Sequence, residues 1–134
     1  MADKFPKQYG ILLQKAKADI AIAFRALDAG DNDIDNATIL FHFQQAVEKL
    51  LKALLSINQI HFEKIHDIAL LIDLCKTNKI QLPDYLGDFS ELNVYAVIGR
   101  YDIMDDAEND PRKYREKLIE FKKFVENTIQ GFSG

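Results

Sequence analysis

The chain has 134 residues, 48% of them hydrophobic and 28% charged, enough to bury one sizeable core and ordinary for a soluble globular protein. A formal net charge of −4 excludes a generic polyanion binder, so any nucleic-acid contact has to come from a local basic patch. The single cysteine, Cys75, excludes an intrachain disulfide and suits a reducing compartment, and no apolar run approaches the ~20 residues that span a bilayer. The opening MADKFPKQYG lacks the apolar stretch of a signal peptide. These readings give a cytoplasmic protein with no membrane contact. With no repeat, low-complexity tract or linker, residues 1–134 read as one domain.

The first helix is expected from Pro6 to Ala29, Pro being compatible with a first helical turn. Its buried stripe is Tyr9, Leu13, Ala16, Ile20, Ala23 or Phe24, and Leu27. Gly30 stops it, and Asp31 to Asp33 form a short polar turn that sends the next helix back antiparallel. That second helix, Asn36 to Asn58, organises the rest. Leu40, Phe43, Val47, Leu50, Leu54 and Ile57 step by three and four along one face. Beside them runs a mixed line in which Gln44 and Glu48 interrupt apolar residues. A third line, Thr38, His42, Gln45, Lys49, Lys52 and Ser56, is polar throughout and is expected to face water.

The connector QIHFEKIHD is too short and broken for a strand pair. The third helix reads HDIALLIDLCKTNK, starting at His66 or Asp67 and stopping near Asn78, with Ile68, Leu71, Ile72 and Cys75 inward. Pro83 breaks the next connection, and a turn at Asp84 to Gly87 leads into a fourth helix, Asp88 to Tyr101. Phe89, Leu92, Ala96 and Val97 mark its apolar side. The run Asp102 to Asp110 holds five acids and no base. Asp110-Pro111 is an N-cap followed by Pro at the first helical position, so a fifth helix runs from Pro111 to about Gln130. Tyr114, Leu118, Phe121, Val125 and Ile129 face inward. No period-two run of strand length occurs. The expected fold is all-α, an up-and-down four-helix bundle with an additional shorter helix.

Several side chains carry two readings. Gln44 and Glu48, one turn apart on a half-buried line, are either a hydrogen-bonded pair that fixes helix register or a surface for a ligand or partner. Arg100 either caps helix carbonyls, pairs with Glu48, or holds a phosphate. His66 either begins the third helix and bonds locally or serves catalysis. His42 is expected in solvent or on a partner surface. The acidic run lacks the ligand spacing of a calcium loop and reads as solvated, with no metal. From Arg112 to Lys123 six bases face two acids, which is either a solvated face with internal pairing or a basic patch. Cys75 reads as core, and no Gly-rich phosphate loop is present.

Phe41-His42-Phe43-Gln44-Gln45-Ala46-Val47-Glu48-Lys49-Leu50-Leu51-Lys52-Ala53-Leu54-Leu55 resembles the signature of HEPN domains, named for nucleotide binding in higher eukaryotes and prokaryotes. His66-Asp67-Ile68 with Leu70-Leu71, and then Arg100-Tyr101, resemble the family's next two motifs in the expected order. The resemblance implies a helical bundle, a homodimer, and pairing with a small nucleotidyltransferase in a toxin–antitoxin arrangement. It also implies contact with RNA or a nucleotide and needs no cofactor. The ligand or partner surface would comprise Gln44, Gln45, Glu48, Lys52 and Tyr101. Ribonuclease branches of the family place a His after the Arg with four to six residues between them. Here those positions carry Asp105, Asp106 and Ala107, which argues against catalysis. A divergent metal-independent ribonuclease would use Arg100 with Asp105 or His66 for the proton. A bundle that only holds another protein is the remaining alternative.

Overall fold

The computed structural model of this chain describes residues 8–96 and 109–133. Helix α1 spans Gln8–Ala29, α2 Asn36–Ile57, α3 Ile68–Thr77 and α4 Arg112–Ser133, with a 3-10 helix at Asp84–Tyr95 between α3 and α4. No strand occurs among the described residues. The protein is all-α, and its core draws residues from every one of these elements.

Helix α2 is central, packing against α1, α3, α4 and the 3-10 helix. Its apolar line, Leu40, Phe43, Val47, Leu50, Leu54 and Ile57, is buried throughout. Its start is fixed by Asp35, whose carboxylate accepts from the Thr38 backbone N–H at 2.8 Å and from the Thr38 hydroxyl at 2.7 Å. The hydroxyl and backbone N–H together hold the Asp35 carboxyl below the usual range. Gly30, at φ +62°, closes α1 in the left-handed region where glycine is at ease. Helix α1 then runs opposite to α2: Phe24 meets Phe43, while Gln8 lies near Ser56.

Helices α2 and α3 end the same way, on Asn58-Gln59-Ile60 and Asn78-Lys79-Ile80. Each Asn side chain donates to the carbonyl four residues back at 2.8 Å. Gln59 and Lys79 take positive φ, and the Ile N–H then reaches back to Leu55 or Cys75 at 2.9 and 3.0 Å. These are helix endings of the Schellman type, and each Ile packs on the core beyond the turn. At the start of α3, Asp67 rather than His66 is the cap, accepting from the Ala69 and Leu70 N–H groups.

The fourth helix departs from expectation. Over the described residues it is a 3-10 helix that already begins at Asp84, so the expected turn at 84–87 belongs to it. The reason lies in spacing. Leu86, Phe89, Leu92 and Tyr95 recur every third residue, and these four are buried. At three residues per turn they form one line, whereas an α-helix would swing each by about 60° from the last. Val97, Arg100, Tyr101 and most of the acidic run lie outside the described residues. Helix α4 begins one residue after the expected Pro111, with the Asp110 carboxylate accepting from the Arg112 N–H at 3.0 Å, and buries Tyr114, Leu118, Phe121 and Val125.

Basic residues of α4 pair mainly with acids of other elements rather than within the helix. Arg115 grips Asp28 of α1 with two bonds, at 2.6 and 3.1 Å, and lies over the Phe24 ring. Lys117 meets Asp88 and Lys113 meets Glu91, both on the 3-10 helix. The Arg115 bond holds the Asp28 carboxyl below its usual range.

A hydrogen-bonded knot joins the end of the 3-10 helix to the start of α4. Asn109 donates to the Tyr95 hydroxyl at 3.0 Å, and the Tyr114 hydroxyl bonds Asn109 at 3.3 Å and the Glu91 carboxylate. Burial and the Glu91 carboxylate raise the Tyr114 hydroxyl above the usual phenol range. The Tyr114 hydroxyl, with Lys113, lowers Glu91. Tyr114→Phe is expected to cost about 1–2 kcal/mol, because buried Asn109 loses a donor. A raised folded-state value means the native protein loses stability as pH climbs above about 10. Urea titrations near neutrality and above that pH should show the variant losing less than the parent; parallel losses would count against the knot.

Candidate functional site

Glu48 sits in the middle of α2 with only 3% of its surface exposed. A buried carboxylate needs a counter-charge and donors for its lone pairs, and it has both. Lys52, one turn on, donates to Oε1 at 3.0 Å. The His66 ring meets the same oxygen through Nδ1. Gln44 and Gln45 donate to Oε2 at 3.4 and 3.3 Å. Gln45 also donates to Gln44 Oε1 at 2.7 Å, and Gln44 reaches the His66 carbonyl at 3.4 Å. Lys52 lies 5.7 Å from the centre of the Phe62 ring. The carboxylate thus ties α2 to the connector before α3.

This cluster gathers Gln44, Gln45, Glu48, Lys52 and His66 into one place. Gln44, Glu48 and Lys52 are interior, Gln45 is half-buried, and the His66 side chain is 68% exposed. His66 therefore does not begin α3 with a local bond; it bonds a carboxylate eighteen residues away on α2. Next to it, the Asn93 side chain donates to the Asp67 carboxylate at 3.0 Å and accepts from the Ile68 N–H at 3.0 Å. The 3-10 helix that precedes Arg100 in the chain is thereby joined to the start of α3. Arg100, Tyr101 and Asp105 lie outside the described residues.

The polar line of α2 is not the water-facing side expected of it. None of Thr38, His42, Gln45, Lys49, Lys52 and Ser56 is fully exposed. Asp19 of α1 explains much of this. It lies among Ala16, Ile20 and Ala23 and is itself buried. Its two oxygens take His42 Nδ1 at 3.0 Å and Lys49 Nζ at 2.6 Å. His42 is thus held by α1 rather than solvated. The signal for this was an acid set in the apolar stripe of the first helix, which calls for a cation on its neighbour.

A groove of about 390 Å³ runs beside this pair, between Ile22, Ala26 and Ala29 of α1 and Ile34, Ile39 and His42. Cys75 is buried in the core, and burial pushes its thiol up to about 12, so it is not a nucleophile. No group of three or more His, Cys, Asp or Glu side chains able to hold a metal occurs among the described residues. No helix among them is long and apolar enough to cross a membrane.

The arrangement offers one exposed imidazole on a fully satisfied internal carboxylate, beside a half-buried amide. The family model for the HEPN domain matches residues 9–129. No curated protein and no solved structure matches the chain significantly.

Proposed function

The chain belongs to the HEPN domain family, and from that premise we propose that it is a nucleotide- or RNA-binding module. It works as a homodimer, with a small nucleotidyltransferase as its partner in a toxin–antitoxin-type pair. The observation that carries the binding reading is the family match together with the absence of His at positions 105, 106 and 107, where four to six residues would separate it from Arg100. The phosphate contact falls to Arg100, whose guanidinium suits two phosphate oxygens at once. Tyr101 and Gln45 complete the surface. Gln44, Glu48 and Lys52, already bonded to one another, hold it in shape.

Fluorescence anisotropy with a labelled single-stranded RNA tests this reading directly. Arg100→Ala should weaken binding by about 10- to 100-fold, as loss of a charge-assisted contact does. It should also make binding less sensitive to salt. Equal affinity for parent and variant would remove Arg100 from the site. Absence of any RNA or nucleotide binding would end the proposal. A second reading, a metal-independent ribonuclease, is favoured by one observation: the exposed imidazole of His66, bonded through Nδ1 to Glu48.

A further inference from the structure

The groove of about 390 Å³ between α1 and α2 shares no lining residue with the Glu48 cluster. Its floor is apolar: Ala26 and Ile39 are interior, and Ile22 stands on the rim, 51% exposed. Ile22, Ala26 and Ala29 step by four and three along α1, so they form one line. From first to last this line covers roughly 10 Å of helix axis. The polar side chains on the α2 wall are already held. Asp19 Oδ1 lies 3.0 Å from His42 Nδ1, and Asp35 accepts from the Thr38 hydroxyl at 2.7 Å. At the far end Asp31 accepts from the Asp33 N–H at 2.9 Å, which fixes the turn. The walls are therefore set before anything binds, as in preformed ligand sites.

Arg25, also on the lining, is the exception. Arg112 and Arg115 pair with Asp110 and Asp28, whereas no acid pairs with Arg25 among the described residues. Helical side chains lean toward the N-terminus, which directs this guanidinium to the Ile22 end of the line. An apolar trough with one unneutralised cation at its end suits an anion with an apolar tail. A second copy of the chain does not suit it. A stable interface covers about 800 Å² on each partner, and Ile22 is the one exposed large apolar side chain on this lining.

We propose that the groove binds a free medium-chain monocarboxylate. Its unbranched alkyl chain lies along Ile22, Ala26 and Ala29, faced by Ile34 and Ile39, and its carboxylate meets Arg25. Asp31 on the same lining repels a second negative charge, so a dicarboxylate is disfavoured. The site is independent of the RNA- or nucleotide-binding reading above.

The test is a nitrogen-15 NMR titration of the full chain with sodium decanoate, kept below its micelle concentration. Saturable shifts are expected at amides of residues 22–42. Hexanoate, four methylenes shorter, should bind roughly tenfold or more weakly, since each buried methylene is worth about fourfold. Arg25→Gln should weaken decanoate by about two- to fivefold, the range for an exposed ion pair, and leave decanol unchanged. Ile22→Asp puts a like charge on the rim and should abolish saturable binding. Both side chains are exposed, so both variants keep the fold. Amides of residues 22–42 that stay unmoved, or that respond equally to hexanoate and decanoate, overturn the proposal. Unchanged decanoate affinity in Arg25→Gln overturns the carboxylate contact. Self-association of the native protein that Ile22→Asp abolishes would mean that a second copy covers the groove, and would overturn the proposal as well.

Discussion

Phe43→Ala is expected to lower the free energy of unfolding by about 3–5 kcal/mol, the range for emptying a large aromatic site in a packed core. Phe43 is completely buried and stands where three helices meet. Its ring packs edge-on to Phe24 of α1, centroids 5.8 Å apart, and to Tyr114 of α4 at 6.4 Å. Such pairs add about 0.5–1.5 kcal/mol beyond the area they bury. Truncation therefore removes both the volume and two oriented contacts. Phe43→Leu keeps most of the volume and should lose clearly less. Urea unfolding of the three proteins, followed by far-ultraviolet circular dichroism, gives the comparison. A loss below about 1 kcal/mol for the alanine variant would show that the helices close around the gap at little cost.

Glu48→Leu is expected to be as damaging, for a different reason. The leucine fits an apolar helix face, but the ammonium of Lys52, a residue only 9% exposed, is left without its carboxylate. Two amides and the His66 ring lose an acceptor in the same step. Breaking one side of a buried ion pair costs about 3–5 kcal/mol. The second substitution decides the mechanism. Glu48→Leu with Lys52→Met removes both charges and should recover a good part of the loss, since a paired apolar replacement often matches a buried ion pair. If the double variant is no better than Glu48→Leu alone, the cost lies in the Gln44, Gln45 and His66 bonds rather than in the stranded ammonium. Either way the cycle separates the charge from the network.

Much of this arrangement was legible in the sequence because it depends on local spacing. The apolar lines of α1, α2, α3 and α4 follow a 3.6-residue period, and the caps at Gly30, Asp67 and Asp110 are residue types that act within three positions of themselves. The 3-10 helix was not legible, because Phe89, Leu92 and Ala96 step by three and four and so also fit one side of an α-helix. The fate of the α2 polar line was hidden for a deeper reason. Polarity indicates that a side chain needs a partner, but water and a distant carboxylate satisfy it equally well on paper. Asp19 supplies His42 and Lys49 from another helix, and Glu48 reaches His66 across a connector. Those partners become visible only when the helices are packed. The same holds for the α4 bases, whose acids lie on α1 and the 3-10 helix.

The winding of the 3-10 helix also fixes a length. Its twelve residues span roughly 24 Å at about 2.0 Å each, where an α-helix would cover only ~18 Å. Rewinding it would draw Tyr95 back by about 6 Å, twice the 3.0 Å bond that joins it to Asn109. The element therefore works as a strut: tight coiling gives it the reach to bring residue 95 alongside residue 109. Tyr95 and Asn109 are thus fourteen residues apart in sequence yet in contact, and the winding of the preceding turns sets whether they can meet.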